Sequence, residues 1–342
     1  MVLPVGSQCQ GPDGDTRLRV AHCSILEGER CLACKEDIEL EQEFQERRRQ
    51  IRTKMNPNHD PFVLKLPPEV ASYIFLLSMG ERDTREISSS RDCLPTPFIL
   101  GAVCSGWRQL ARSTPALWTR LAFAIPDPTI MPEDLSHLVV DWLERSGGLP
   151  LTLKVSYCIT DGDSSPDNHG SVFDALNRHS ERWCEVEFIL PPDYICHLCG
   201  SSPSENLRDL LISLDDEDEN DVPLTFTMNA KLGPMKFKIS GFLLEAVDVA
   251  WDNLVHLDLS RTTLDGVLQV IRDAPLLETC SLFIITPPIS RFRISKIIIR
   301  HPYLRTLQLS FIEDIDVFHE LINFHPWSRG RSHGRGALWS TP

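Results

Sequence analysis

From Trp183 onward one phrase keeps returning: an apolar residue, two others, an apolar, one other, an apolar. It occurs at Trp183, Val186 and Phe188, at Leu207, Leu210 and Ile212, and in degenerate form at Pro234, Phe237 and Ile239. Three clean copies follow: Leu254, Leu257, Leu259; then Leu277, Cys280, Leu282; then Leu304, Leu307, Leu309. Successive copies start 24, 27, 20, 23 and 27 residues apart. Each reads as a short strand followed by a helix or loop, a unit that cannot bury its leucines alone; stacking the units makes one continuous core. The stretches between agree. Leu264, Val267, Leu268 and Ile271 form a helical stripe that stops at Asp273-Ala274-Pro275, and Ile294, Ile297 and Ile298 precede His301-Pro302 in the same way. Upstream, Pro132 to Arg145 reads as a helix with Leu135, Leu138, Val139 and Trp142 inward, closed by Gly147-Gly148, and residues 149–155 alternate as a strand.

Residues 62–121 have a different pattern. Leu66-Pro67-Pro68-Glu69 opens a helix, since proline suits a first turn and a carboxylate there suits the helix dipole. Val70, Ile74 and Leu77 then form one apolar stripe, and Ala71 and Phe75 a second beside it. A second helix is expected to carry Leu100, Val103, Trp107 and Leu110, with Ile99 and Cys104 alongside. A third starts at Thr114 as N-cap with Pro115 at N1 and presents Leu117, Trp118 and Leu121. A segment of about 60 residues is near the lower limit for a self-sufficient core, so large side chains left over imply a partner or a neighbouring domain. Residues 78–97 are loop-like, with Gly80, the serine run 88–90, Pro95 and Pro97.

These residues resemble the F-box, the helical module that docks on the Skp-type adaptor of SCF ubiquitin ligases. The matching positions are Leu66-Pro67-Pro68-Glu69, Ile74-Phe75, the run from Val103 through Trp107 to Arg108, and Pro115-Ala116-Leu117-Trp118. The 78–97 stretch resembles an insertion found in many fungal F-box proteins. The repeats, with His179-Ser180-Glu181-Arg182-Trp183 and Ala250-Trp251-Asp252-Asn253-Leu254, resemble the leucine-rich-repeat-like domains that follow many F-boxes. The implied fold class is α+β: a small all-helical F-box followed by an irregular α/β leucine-rich-repeat solenoid. The implied organisation is disorder over 1–35, a helix or short coiled-coil lead-in over 36–61, the F-box over 62–123, the repeat domain over 124–325 and a disordered tail over 326–342.

The resemblance implies a substrate-recognition subunit that docks on the adaptor, and through it a cullin, by Leu66, Pro67, Ile74, Val103, Trp107, Leu117 and Trp118. The repeats would hold an unidentified protein substrate. Because the leucines point inward, the alternate strand residues face out: Glu185, Glu187, Lys236, Lys238, His256, Asp258, Thr279, Ser281, Phe283, Thr306 and Gln308. The alternative is a non-catalytic leucine-rich-repeat scaffold acting outside ubiquitin ligation. GxSxG, HExxH, GxxxxGK[ST] and GxGxxG are all absent, so no catalytic residues and no cofactor are assigned.

The net charge of −14 opposes nonspecific nucleic-acid binding. No apolar run approaches membrane-helix length, the N-terminus lacks signal-peptide features, and eleven scattered cysteines fit reduced thiols. A cytoplasmic or nuclear location is the expectation. Cys31 and Cys34 form a CxxC, and Cys196-His197-Leu198-Cys199 supplies three potential ligands at awkward spacing. Neither makes a four-ligand zinc site, so no metal is assigned. In the lead-in helix acidic residues fill the first half and Arg47, Arg48, Arg49, Arg52 and Lys54 the second, as the macrodipole favours. Leu40, Phe44 and Ile51 sit at heptad spacing there, but Arg47 and Lys54 occupy the alternate core slots, so a solvated helix is expected. The acidic run 215–221 reads as a solvated loop.

Overall fold

The computed structural model describes residues 32–80, 87, 95–125, 132–157, 169–200, 202, 204–214, 226–229, 231–242, 244, 247–286, 301–312, 328–329 and 336–340. The CxxC pair as a site, the acidic run 215–221 and the stripe Ile294, Ile297, Ile298 lie outside them. The chain divides between Lys65 and Leu66 into two units. The first contains helix α1 (Leu32–His59) and helix α2 (Pro61–Lys65). Helix α1 thus begins inside the stretch expected to be disordered.

The second unit opens with α3 (Pro68–Ser78), α4 (Thr96–Val103) and α5 (Ser105–Arg112). One continuous helix was expected where α4 and α5 stand. The chain breaks at Cys104, whose backbone is extended (φ −158°, ψ 174°) and whose Sγ accepts a hydrogen bond from Trp107 N at 3.4 Å. Apolar spacing runs through a break of this kind unchanged, because a one-residue cap does not alter the residue types on either side. The expected third helix is a single 3-10 turn, Pro115–Trp118. It stops short because the chain immediately enters strand β1 (Arg120–Ile125), whose backbone pairs with β2 (Leu151–Tyr157). Residues 120–123, expected within the helical module, belong to the sheet.

The remaining elements alternate. Helix α6 (Pro132–Arg145) precedes β2; α7 (Gly170–Arg178) precedes β3 (Trp183–Ile189); α8 (Pro192–Ile195) precedes β4 (Asp209–Ser213) and β5 (Lys236–Ser240). Strand β6 (His256–Thr263) leads through α9 (Leu264–Asp273) to β7 (Thr279–Thr286) and then β8 (Thr306–Ile312). Strands β1 to β8 lie side by side in chain order, every neighbouring pair parallel, in a sheet that does not close. Every LxxLxL phrase from Trp183 to Leu309 therefore carries one strand. The join between units also repeats: Arg208 N donates to Cys184 O, Lys236 N to Arg208 O, His256 N to Met235 O, Thr279 N to Val255 O and Thr306 N to Glu278 O, at 2.7–3.1 Å.

Burial is one-sided. Leu153, Val155, Val186, Phe188, Leu210, Ile212, Phe237, Ile239, Leu257, Leu259, Cys280 and Leu282 are buried, whereas their alternates are half-buried or exposed. Helices cover that buried face with Leu135, Val139, Trp142 and Leu143 from α6, Val172, Phe173 and Leu176 from α7, and Val267, Leu268 and Ile271 from α9. Leu138, expected inward, is half-buried.

Both sheet edges are covered by chain expected to be loop or tail. Ile87, from the 78–97 stretch, is buried, forms a parallel bridge with Phe123 and donates its N–H to Ala122 O at 2.7 Å. At the other edge β10 (Gly336–Ser340) pairs antiparallel with β8, and β9 (Ser328–Arg329) pairs with β10. The expected disordered tail thus contributes strands, which protects an edge that would otherwise offer unpaired backbone groups. Among the described residues no helix is long and apolar enough to cross a membrane.

Candidate functional site

Helix α3 divides its two apolar stripes cleanly. Ala71 and Phe75 face inward, and Phe75 meets Trp107 of α5 with ring centroids 4.9 Å apart. Ser72 Oγ lies 2.9 Å from Thr114 Oγ1, which donates to Leu110 O at 2.7 Å, so polar contacts tie α3 to the end of α5. The other stripe is solvent-facing: Val70 is 44% exposed, Tyr73 61%, Ile74 39% and Leu77 66%. Four large side chains at i, i+3, i+4 and i+7 make one apolar band on a helix face. Ile99 and Val103 of α4 are exposed as well.

The seven residues expected to contact an adaptor separate by burial. Pro67, Ile74 and Val103 are exposed, and Leu66 and Trp107 are half-buried. Leu117 is 0% exposed and Trp118 2%. These two are core residues, which corrects the sequence-based assignment. Trp118 Nε1 donates to Ala111 O at 2.8 Å, and its ring stands edge-on to Trp142 of α6 at 4.9 Å and to Phe98 at 6.0 Å. The Arg145 guanidinium lies 4.9 Å above the Trp118 ring and pairs with Asp141 at 2.7 Å. An apolar residue's type says that it will be covered; it does not say whether its own chain or a partner covers it. Val70, Tyr73, Leu77 and Ile99 belong with the exposed set and were not assigned to it, although the stripe spacing that reveals Val70 and Leu77 is visible in the sequence.

Beside this joint lies a cleft of about 240 Å³, lined by Phe98, Trp118, Arg108, Arg112 and Arg145 among others. Arg108 Nε donates to Gly101 O at 2.9 Å and Arg145 is engaged by Asp141.

The open face of the sheet is the second surface. Backbone register aligns its side chains in rows. One row runs Thr152, Glu185, Asp209, Lys236, His256, Thr279, Thr306; the next runs Lys154, Glu187, Leu211, Lys238, Asp258, Ser281, Gln308. A third includes Ile189, Ser213, Ser240, Ser260, Phe283 and Ser310. All eleven residues expected on the outward face, Glu185, Glu187, Lys236, Lys238, His256, Asp258, Thr279, Ser281, Phe283, Thr306 and Gln308, share this face. Thr152, Lys154, Asp209 and Leu211 share it too and were missed, though the same alternation predicts them.

Three ion pairs and one histidine contact engage residues of this face with one another. Lys154 Nζ lies 3.1 Å from Glu187 Oε1, Lys236 Nζ 3.2 Å from Asp209 Oδ1, and Lys238 Nζ 3.6 Å from Asp258 Oδ2. His256 Nδ1 is 2.5 Å from Thr279 Oγ1. Each contact joins residues directly opposite on neighbouring strands, the geometry in which cross-strand pairs act.

Arg182 is buried. Nε donates to Leu149 O at 2.9 Å and Nη1 to Leu143 O at 3.3 Å; Nη2 also donates to Ser146 Oγ. It thus satisfies acceptors at the C-terminal end of α6, where a cation is also favoured by the dipole. Burial pushes its pKa down, opposed by Glu181. Burial likewise lowers the pKa of neighbouring His179, with Arg182 adding to the effect.

The segment Cys196-His197-Leu198-Cys199 is a turn, and buried Asn177 holds it. Asn177 Nδ2 donates to His197 O at 2.8 Å, and its Oδ1 accepts from Cys199 N at 3.0 Å and Gly200 N at 2.9 Å. Gly200 has φ +57° and a side chain there would run into Met228, so both the turn and the close approach require glycine. Among the described residues no three His, Cys, Asp or Glu side chains gather as metal ligands. Searches of family models, of curated proteins and of solved structures found nothing that matches the chain.

Proposed function

We propose that this chain is a substrate-recognition subunit of an SCF-type ubiquitin ligase, non-catalytic itself. Helices α3 to α5 serve as the F-box, docking on the Skp-type adaptor, and the sheet with its helices serves as an irregular leucine-rich-repeat array whose open face holds a protein substrate. The observation that carries the reading is the exposed band Val70, Tyr73, Ile74 and Leu77 on α3, with Ile99 and Val103 on α4. A second stripe on the same α3 helix is already buried, so this band is surplus to the fold, and contiguous exposed apolar surface marks a protein-binding site. The repeat reading is supported by one LxxLxL phrase per strand, parallel order along the chain and the recurring bond between units.

The test is co-purification of the full chain with a Skp-type adaptor, wild type against Ile74→Asp/Leu77→Asp. Both side chains are exposed, so the melting temperature should stay within about 2 °C while adaptor binding drops at least about 100-fold. Undiminished binding by a folded double variant refutes the docking face. Identification of cullin peptides in the wild-type purification separates the ligase from a scaffold acting elsewhere.

A further inference from the structure

Helix α1 carries an apolar face of its own. Leu40, Phe44, Ile51 and Met55 are 66%, 59%, 51% and 49% exposed. At 100° per residue they fall within an arc of about 60°. Leu40 and Ile51 are 11 residues apart, as are Phe44 and Met55. That spacing keeps a seam in line along a nearly straight helix. Met55 lies outside the heptad pattern legible in the sequence, so the seam is longer than that pattern suggests.

The stripe is symmetric about a point between Arg47 and Arg48. Leu40 and Met55 are equidistant from it, and so are Phe44 and Ile51. The charges flanking the seam are antisymmetric about the same point: Glu41 mirrors Lys54 and Glu43 mirrors Arg52. A surface whose apolar residues map onto one another, and whose charges map onto their opposites, complements itself under a two-fold rotation. That is the requirement for an isologous contact.

We propose that α1 pairs with α1 of a second copy of this chain, antiparallel, with the two-fold axis between Arg47 and Arg48. Leu40 of each copy lies against Met55 of the other, and Phe44 against Ile51. On one flank of the seam Glu41 faces Arg52 of the second copy, and on the other Glu43 faces Lys54. A parallel pairing would set acidic half against acidic half and basic half against basic half, so charge selects the antiparallel arrangement. At the axis Arg47 and Arg48 meet their own counterparts, and their long stems carry those like charges away from the seam. The partner is a second copy because an unrelated helix has no reason to match this mirror pattern.

Sedimentation equilibrium of the full chain at low salt tests the pairing. The expected result is a reversible dimer that weakens as salt rises. Phe44→Asp raises the dissociation constant at least about 100-fold, because the substitution counts once in each copy. Glu41→Lys/Glu43→Lys also dissociates the dimer, and adding Arg52→Glu/Lys54→Glu restores it by reversing every cross-copy pair. Arg47→Leu tightens it. Glu41 is half-buried and the other substituted positions are exposed, so unchanged circular dichroism confirms that each variant folds. A wild-type chain that stays monomeric to about 100 µM overturns the proposal. So does a dimer that survives Phe44→Asp, or one that ignores the double charge reversal, which a parallel or unrelated contact would do.

Discussion

The helical face and the sheet face expose their side chains for opposite reasons. On α3 the exposed band is Val70, Tyr73, Ile74 and Leu77, which water solvates poorly and which nothing among the described residues covers. On the sheet most outward residues are lysines, carboxylates and hydroxyls, several of which engage one another across neighbouring strands, with Phe283 an exposed aromatic among them. The first surface gains by being covered, since burying apolar area is favourable wherever the cover comes from. The second is self-satisfied. A ligand there must exchange existing ion pairs for new ones, so affinity comes from pattern match, with little from any single contact. The contrast suits the proposed division of labour between a constant docking partner and a selected substrate.

Both regions are fastened to α6, which makes the comparison testable. The largest effect is expected from the helical side. Trp118→Ala empties a buried site between Phe98 and Trp142 and should cost about 3–5 kcal/mol in urea unfolding. A loss below about 1 kcal/mol would return Trp118 to the exposed set and dissolve the distinction between the two α3-side groups of residues. From the sheet side, Arg182→Ala leaves Leu149 O, Leu143 O and Ser146 Oγ without their guanidinium and should cost about 2–3 kcal/mol. If the two substitutions combined cost clearly less than their sum, the helical segment and the sheet share α6 as one cooperative anchor. The smallest effect belongs to the open face. A double-mutant cycle on Lys154 and Glu187, each to Ala, should return a coupling of about 0.2–1 kcal/mol that fades in high salt. A coupling well above that range would make the sheet face a rigid network and remove its capacity to exchange partners.

Much of this architecture is local and therefore legible. Strand alternation and helical stripes are set by residues two to seven positions apart, so α6, α9 and the strands that carry the six phrases stand where the pattern puts them. The inward and outward faces of each strand follow from the same alternation, which is why the eleven residues assigned to the open face lie on it together. The two stripes on α3 are also visible, as is the proline-opened start of that helix.

What pattern cannot carry is the choice of cover. Which α3 stripe turns inward depends on Trp107, more than 30 residues away, and the burial of Trp118 depends on Trp142. Ile87 and β10 join the sheet through backbone pairing, which needs a free edge and no particular side-chain code. The ion pairs of the open face exist because register sets Lys154 opposite Glu187 and Lys238 opposite Asp258, a relation between strands more than 15 residues apart. The amino-acid sequence by itself determined the elements, their periodicity and their apolar faces, because those are properties of neighbouring residues. Only the tertiary structure decided which apolar faces are spent inside and which remain to be covered from outside, because that depends on which distant segment arrives first at each face.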